Sequence, residues 1–197
     1  MRWTHIPPSA GRAMPWKNGG GTTLELLVEP PGATAAQGFA WRVSSAEVAT
    51  SGPFSAFPGL ERWLVLLEGP GFELDFESRG REVLSEPLQA VRFSGDWPAS
   101  ATLLGGPSTD FNLMVDPTRW TARVAAWRGA GTQRWAVGPA SLLFLAGGTL
   151  HVPVLGLHLG RRHLLRLEGD GERLDLVPGL AGVALLRVDL EPCPLSR

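Results

Sequence analysis

Apolar and polar residues alternate with a period of two along most of the chain. The segment GFELDFES (71–78) places apolar side chains on one face and acidic ones on the other, as half-buried β-strands do. RWLVLLEG (62–69) is a continuous apolar run of strand length that ends at a Gly-Pro-Gly turn. Similar short segments follow to the end of the chain, and only the pieces around PSAGRAM and VDPTRW suit a short helix. The pattern predicts an all-β protein with many short strands, hence a sandwich or a barrel.

The two halves of the chain each contain a segment that weakly resembles the other. LVLLEGPGFEL (64–74) and LLFLAGGTLHV (142–152) both combine an apolar tetrad, a glycine-containing turn and a returning alternating strand. This resemblance predicts two β-lobes that meet near DPTRW, an N-terminal lobe at about 1–116 and a C-terminal lobe at about 117–197. Because hairpins also resemble one another by chance, the duplication itself stays open at this point.

Composition narrows the class of protein. A chain of 197 residues with 44% hydrophobic and 19% charged residues is globular rather than disordered. The net charge of -1 provides no basic field for nucleic acid. No run approaches the roughly 20 apolar residues of a membrane span, and the N-terminus lacks the apolar core of a signal peptide. The single cysteine, Cys193, allows no internal disulfide. We therefore expect a cytoplasmic protein that binds neither nucleic acid nor membrane.

The only lysine of the chain, Lys17, lies beside Asn18 and a run of three glycines. A phosphate loop would need its lysine and Ser/Thr after the glycines, before a helix, whereas strand-like TTLELLVE follows here. Glycines tolerate positive φ and allow close approach of a ligand. A compact ammonium suits a tight site that a planar guanidinium would not fit, so we predict a binding role for Lys17. The alternative is an exposed lysine in a connecting loop.

Two predicted strands carry polar side chains at alternate positions. Arg42 and Ser44 share one face of FAWRVSSAEV (39–48), and Asp110 and Asn112 share one face of DFNLM (110–114). A further arginine at the start of the apolar run 62–69 needs a partner. We predict a pocket for a small anion, and the alternative is that the charged residues form structural salt bridges. The predicted ligand-binding residues are Lys17, Asn18, Thr23, Glu25, Arg42, Ser44, Arg62, Asp110 and Asn112.

Three blocks resemble the successive signature blocks of the HutD/Ves family. They are MPWKNGGGTTLE, FAWRVSSAEVATSGPFSAFPGLERWLVLLEG and RFSGDWPASATLLGGPSTDFNLM, in the family order over residues 14 to about 115. The resemblance implies a cupin-like fold (RmlC-like jelly roll) with two β-barrel lobes packed as a bicupin. One departure is Leu24, where the family usually has arginine after the paired threonines.

Metal and hydrolytic sites have no support in the sequence. Metal-binding cupins place two histidines two apart on one strand, followed by a glutamate and a third histidine. Here His151 and His158, like His158 and His163, are separated by odd numbers of residues, and each pair would face opposite ways within a continuous strand. The serines lack a G-x-S-x-G context. We therefore expect no metal and no cofactor, while Glu25 or Asp110 could still serve as a general base.

The resemblance also implies a role in histidine utilisation, where HutD is associated with control of pathway expression and with sensing urocanate or a formylated glutamate. We therefore predict a non-enzymatic regulatory protein that binds a small carboxylate, with an aromatic wall adding apolar contact. The alternatives are a metal-independent cupin-type enzyme of isomerase or hydrolase type, a stress-response protein of the Ves branch, and an interaction scaffold. A homodimer through an open strand edge is also expected.

Overall fold

The computed structural model describes residues 1–16, 19–34 and 36–194. These residues form seventeen β-strands and three 3-10 helices, which confirms the predicted all-β class. The strands in chain order are β1 (Arg2–Ile6), β2 (Arg12–Pro15), β3 (Gly21–Glu29), β4 (Trp41–Val48), β5 (Gly52–Pro53), β6 (Glu61–Glu68), β7 (Phe72–Asp75), β8 (Arg81–Leu84), β9 (Ala90–Ser94), β10 (Ser100–Leu103), β11 (Ser108–Val115), β12 (Trp120–Gly129), β13 (Gln133–Ala136), β14 (Ala140–Val152), β15 (Leu157–Leu159), β16 (Leu164–Glu168) and β17 (Arg173–Pro192). The 3-10 helices are Pro8–Ala10, Glu77–Arg79 and Pro153–Leu155.

The two pieces that suited a helix form only single turns. PSAGRAM contains the 3-10 turn Pro8–Ala10. In VDPTRW, the backbone N–H groups of Arg119 and Trp120 donate to the carbonyl oxygen of Asp116. None of the helices in the described part of the chain has the length and apolar character needed to cross a membrane.

The chain divides into a continuous unit, Gly11–Trp120, and a discontinuous unit made of Met1–Ala10 with Thr121–Arg197. This division differs from the predicted lobes, because the first ten residues belong with the C-terminal part of the chain. The cause is β1, which pairs antiparallel with β16 from Arg2 opposite Glu168 to Ile6 opposite Leu164. An ion pair of 2.5 Å between Arg2 Nη2 and Glu168 Oε2 adds to this pairing.

The continuous unit contains two sheets with an apolar core between them. Its six-stranded sheet has the order β2-β3-β4-β11-β6-β9, and its four-stranded sheet has the order β5-β10-β7-β8. Alternate residues of β6 and β7, among them Leu64, Leu66, Phe72 and Leu74, fill the core and are fully buried. Among the described residues these pairings leave both sheets open, so the closed barrels and the bicupin arrangement stay a prediction.

The discontinuous unit is a seven-stranded sheet with its own core. The order is β1-β16-β14-β17-β12, with β13 paired to β17 and β15 to β14. The long strands β14 and β17 change register between Leu145 and Gly147 and again between Gly148 and Leu150. Such irregularities bend long strands. Trp135, Leu143 and Leu165 are among the buried residues of this core.

Gly71 occupies a turn that tolerates no side chain. Its φ is 92°, and a Cβ there would lie 1.9 Å from the carbonyl oxygen of Leu84. Gly71→Ala should therefore lower the free energy of unfolding by about 2 kcal/mol, measured by urea denaturation. Gly80→Ala is the control, because Gly80 has a φ of 104° but a Cβ on it would meet no atom within 4 Å. Its cost should be about 1 kcal/mol, and an equal or larger loss at Gly80 would contradict the proposed clash.

Candidate functional site

The polar residues predicted from strand alternation lie on one face of the six-stranded sheet. Ser44 on β4 is opposite Asn112 on β11 and opposite Glu25 on β3. Met114 on β11 is likewise opposite Arg42 and opposite Arg62 on β6. Register partners in a sheet project from the same face. The alternation that predicted this face therefore holds across four neighbouring strands, although it says nothing by itself about a ligand.

This face forms the floor of a cavity of about 660 Å³, here called the Arg62 pocket. Such a volume is typical of pockets that bind small molecules. The lining residues are Met14, Pro15, Trp16, Thr23, Arg42, Ser44, Ala46, Pro53, Phe54, Ser55, Phe57, Arg62, Asp110, Asn112 and Met114. Of the predicted ligand-binding residues, Glu25 does not line the pocket but contacts Arg42, which does. Lys17 and Asn18 lie outside the described residues.

Arg42, which lines the pocket, forms a largely buried ion pair with Glu25. Arg42 Nε donates to Glu25 Oε2 at 2.6 Å, and the two side chains are 11% and 17% exposed. For this pair, the structure therefore shows the alternative to ligand binding that the sequence left open, namely a structural salt bridge. Its charges cancel, and Arg42 adds little net charge to the pocket.

Arg62 is a buried cation enclosed by aromatic rings. Its guanidinium carbon lies 5.0–5.8 Å from the ring centres of Phe54, Phe57 and Phe93. Nη1 donates to the carbonyl oxygen of Ser55 at 3.2 Å, whereas Nε has no hydrogen-bond partner among the described residues. Burial lowers the pKa of Arg62 to about 10, partly opposed by the carboxyl group of Asp110. Arg62 therefore stays protonated at neutral pH.

Asp110 and Asn112 present further unpaired polar atoms in the Arg62 pocket. Asp110 is only 2% exposed, and the Oδ1 atoms of Asp110 and Asn112 are buried without a partner among the described residues. Burial raises the pKa of Asp110 to about 7, although the Arg62 guanidinium and a backbone hydrogen bond from Ala46 act in the opposite direction. Leaving such groups unpaired costs about 1–3 kcal/mol each, so the pocket is chemically suited to a small polar ligand.

The aromatic wall contains residues that the sequence reasoning did not name. Trp16 Nε1 donates to Thr23 Oγ1 at 2.8 Å and thereby fixes the indole at the rim. Phe54 and Phe57 come from the segment between β5 and β6. The only signal for these two rings was their place in SGPFSAFPG, where proline and glycine interrupt any periodicity.

The histidines lie in the discontinuous unit and form two pairs. His151 and His158 were treated above as members of one strand, which is wrong: they are register partners on β14 and β15, with stacked rings 4.2 Å apart. His5 Nε2 lies 2.9 Å from His163 Nδ1. Within the ranges that the structure describes, no group of three or more His, Cys, Asp or Glu residues is arranged to hold a metal ion.

Comparison with known proteins places these features in a family context. The HutD family model matches residues 9–182. A Pseudomonas putida protein described as an uncharacterized 21.2 kDa protein in the hutC 3' region is 38% identical over 166 residues, which cover 83% of this chain and 85% of that protein. Protein Ves of Escherichia fergusonii is 40% identical over 117 residues, covering 57% of this chain and 59% of Ves.

Solved structures share the fold. HutD from Pseudomonas fluorescens SBW25, described as a formate condition, superimposes with a TM-score of 0.83 at 31% identity, covering 98% of this chain and 100% of that one. A Cupin 2 conserved barrel domain protein from Leptotrichia buccalis gives a TM-score of 0.55 at 7% identity, covering 87% and 89%. The latter likeness concerns the fold alone, which is cupin-like.

Proposed function

The chain belongs to the HutD family, and from this premise we propose that it is a regulatory protein of histidine utilisation whose Arg62 pocket binds a small carboxylate. The observation that carries the proposal is a buried guanidinium with an unpaired Nε, next to two unpaired buried oxygens, in a cavity of about 660 Å³. Two comparisons support it: a relative is named for the hutC 3' region, and a solved HutD structure is named for a formate condition.

The energetics require both polar and apolar contacts. Micromolar affinity corresponds to about 8 kcal/mol, whereas two charge-assisted hydrogen bonds contribute about 3–6 kcal/mol. The remainder has to come from apolar contact, which Trp16, Phe54 and Phe57 offer along the pocket wall. A ligand that joins a carboxylate to a planar or extended body, such as urocanate or formyl-glutamate, meets this requirement better than a bare anion.

Three finer points belong to the same proposal. The two compact units are taken as cupin-like barrels of a bicupin, supported by the cupin-like fold of a solved structure that the chain resembles. The cytoplasmic location inferred from the single cysteine and the homodimer through an open strand edge also stay predictions.

Calorimetric titration of the whole chain with urocanate, formyl-glutamate, formimino-glutamate and histidine tests the proposal. We expect micromolar binding of at least one of them. A ligand present at 100 times its Kd should then stabilise the protein by about 2.7 kcal/mol, measured as a shift in thermal unfolding. Absence of both heat and thermal shift with all four compounds at millimolar concentration would overturn the histidine-pathway proposal.

One observation keeps an enzymatic function as the second candidate. The raised pKa of Asp110, about 7 because of burial, is suited to a general base working near neutral pH. Turnover of any of the four compounds, followed by NMR and lost in Asp110→Asn, would favour a metal-independent isomerase or hydrolase over a binding protein. Binding with unchanged ligand after prolonged incubation would favour the regulatory protein.

A further inference from the structure

Asp110 lines the cavity in which the proposed carboxylate ligand binds. Arg62 and Asp110 line the same cavity, and Asp110 is 2% exposed. An anion attracted to the Arg62 guanidinium therefore meets a second carboxyl group in a site with little water. Two carboxylates that share a buried site do not both stay ionised, because their repulsion is weakly screened there.

The charges around Asp110 decide which of its forms accepts an anion. Among the described residues, Arg62 faces it from β6, and Arg42 on β4 is already neutralised by Glu25 on β3. The remaining lining side chains from β11 and from the segment before β6 are uncharged. With Asp110 ionised, the two arginines and the two carboxylates, Glu25 and Asp110, together carry no net charge. With Asp110 protonated, they carry one positive charge, and only this form complements a monoanion.

On the basis of the proposed carboxylate binding, we propose that Asp110 determines specificity by taking up a proton from solvent as the ligand binds. The resulting carboxylic acid donates its O–H to the ligand carboxylate, which also accepts a hydrogen bond from Arg62. No bond of the ligand is formed or broken. A protonated acid in an apolar site is a strong donor to an anion, and such a donor rejects ligands that lack a carboxylate.

Near neutral pH, the Asp110 side chain can be either ionised or protonated. Burial raises the pKa of the empty site to about 7, and a bound anion raises it further. Ligand affinity should therefore be nearly constant on the acid side of this value. Above it, Asp110 of the free protein is ionised and has to take its proton from solvent. Affinity should then fall about tenfold for each pH unit, because the proton concentration falls tenfold.

Calorimetry with urocanate in two buffers tests this coupling. At a pH of about 7.5, titrations in HEPES and in Tris differ in enthalpy if protons move between protein and buffer, because the two buffers have different ionisation enthalpies. We expect uptake of about 0.75 proton per ligand, and an affinity about tenfold lower at pH 9 than at pH 8. Heat that is identical in both buffers would overturn the inference while leaving carboxylate binding intact. No heat in either buffer would overturn the proposed function, and this inference with it.

A variant separates this role from a merely structural one. Asp110→Asn keeps the shape of the side chain but cannot take up the proton, so proton uptake should vanish and the pH profile should become flat. Glu47→Gln, at an exposed position of β4, should retain the proton uptake of the parent. Proton uptake that persists in Asp110→Asn would assign the titration to another group. If that variant does not fold, the comparison of buffers on the parent protein still decides.

Discussion

Replacing Arg62 by methionine should lower the affinity for urocanate by about 100-fold or more in a calorimetric titration. The guanidinium is the only cation lining the described part of the pocket that has no carboxylate within ion-pair distance. A charge-assisted interaction with a ligand carboxylate contributes about 3 kcal/mol, which corresponds to this factor. Arg92→Met is the matched control. Its side chain on β9 is 60% exposed, and its guanidinium lies over the Trp63 ring outside the pocket, so binding should not change.

The same substitution should not destabilise the ligand-free protein. Burial of a guanidinium is costly, and the lowered pKa of Arg62 reflects that cost. Methionine fills much of the same volume and packs well against the rings of Phe54, Phe57 and Phe93. Asp110 can then bind a proton instead of facing a cation. An unfolding free energy equal to or above that of the parent is expected, and a lower one would contradict the inference that burial of this cation costs stability. Unchanged affinity for urocanate in the same variant would contradict a ligand-binding role for Arg62.

Glu25→Gln should lower the free energy of unfolding by about 3 kcal/mol, because it leaves Arg42 as a buried cation without its carboxylate. The pair is largely shielded from water, with Nε and Oε2 only 2.6 Å apart. Urea denaturation measures the loss. The control is Glu73→Gln. It breaks a 3.2 Å ion pair with Arg81, whose side chain is 63% exposed. Exposed pairs contribute about 0–1 kcal/mol, so similar losses at the two sites would contradict the buried character of the Arg42–Glu25 pair.

Strand alternation predicted much of the site because a period of two leaves little freedom. Once β4 and β11 are strands, Arg42 and Ser44 must share a face, and so must Asp110 and Asn112. The composition of these segments also identified Arg62 as a charge in need of a partner. The bond between Arg42 and Glu25 was not predictable in this way, because a register between two strands depends on the turn that joins them and on the bulge after Glu25.

Features that depend on distant partners or on loops were missed. Nothing in the sequence of β1 indicates that it pairs with β16, since any strand edge offers the same backbone groups. His151 and His158 come together because the turn Pro153–Leu155 reverses the chain between them. The rings of Phe54 and Phe57 lie in a segment with only a two-residue strand, where no periodicity assigns a side chain to a face. Local pattern determines faces, whereas pairing and loop geometry depend on the whole chain.

The pairing of β1 with β16 also sets an order of events during translation. The segment Gly11–Trp120 is continuous and contains every described residue of the Arg62 pocket, so it can fold as soon as it leaves the ribosome. The discontinuous unit has to wait until Leu164–Glu168 has been synthesised, and until then β1 has no partner. Nascent chains therefore carry β1 as an unpaired segment once the continuous unit is able to fold. The charged side chain of Arg2 on this segment disfavours pairing with other chains during the delay.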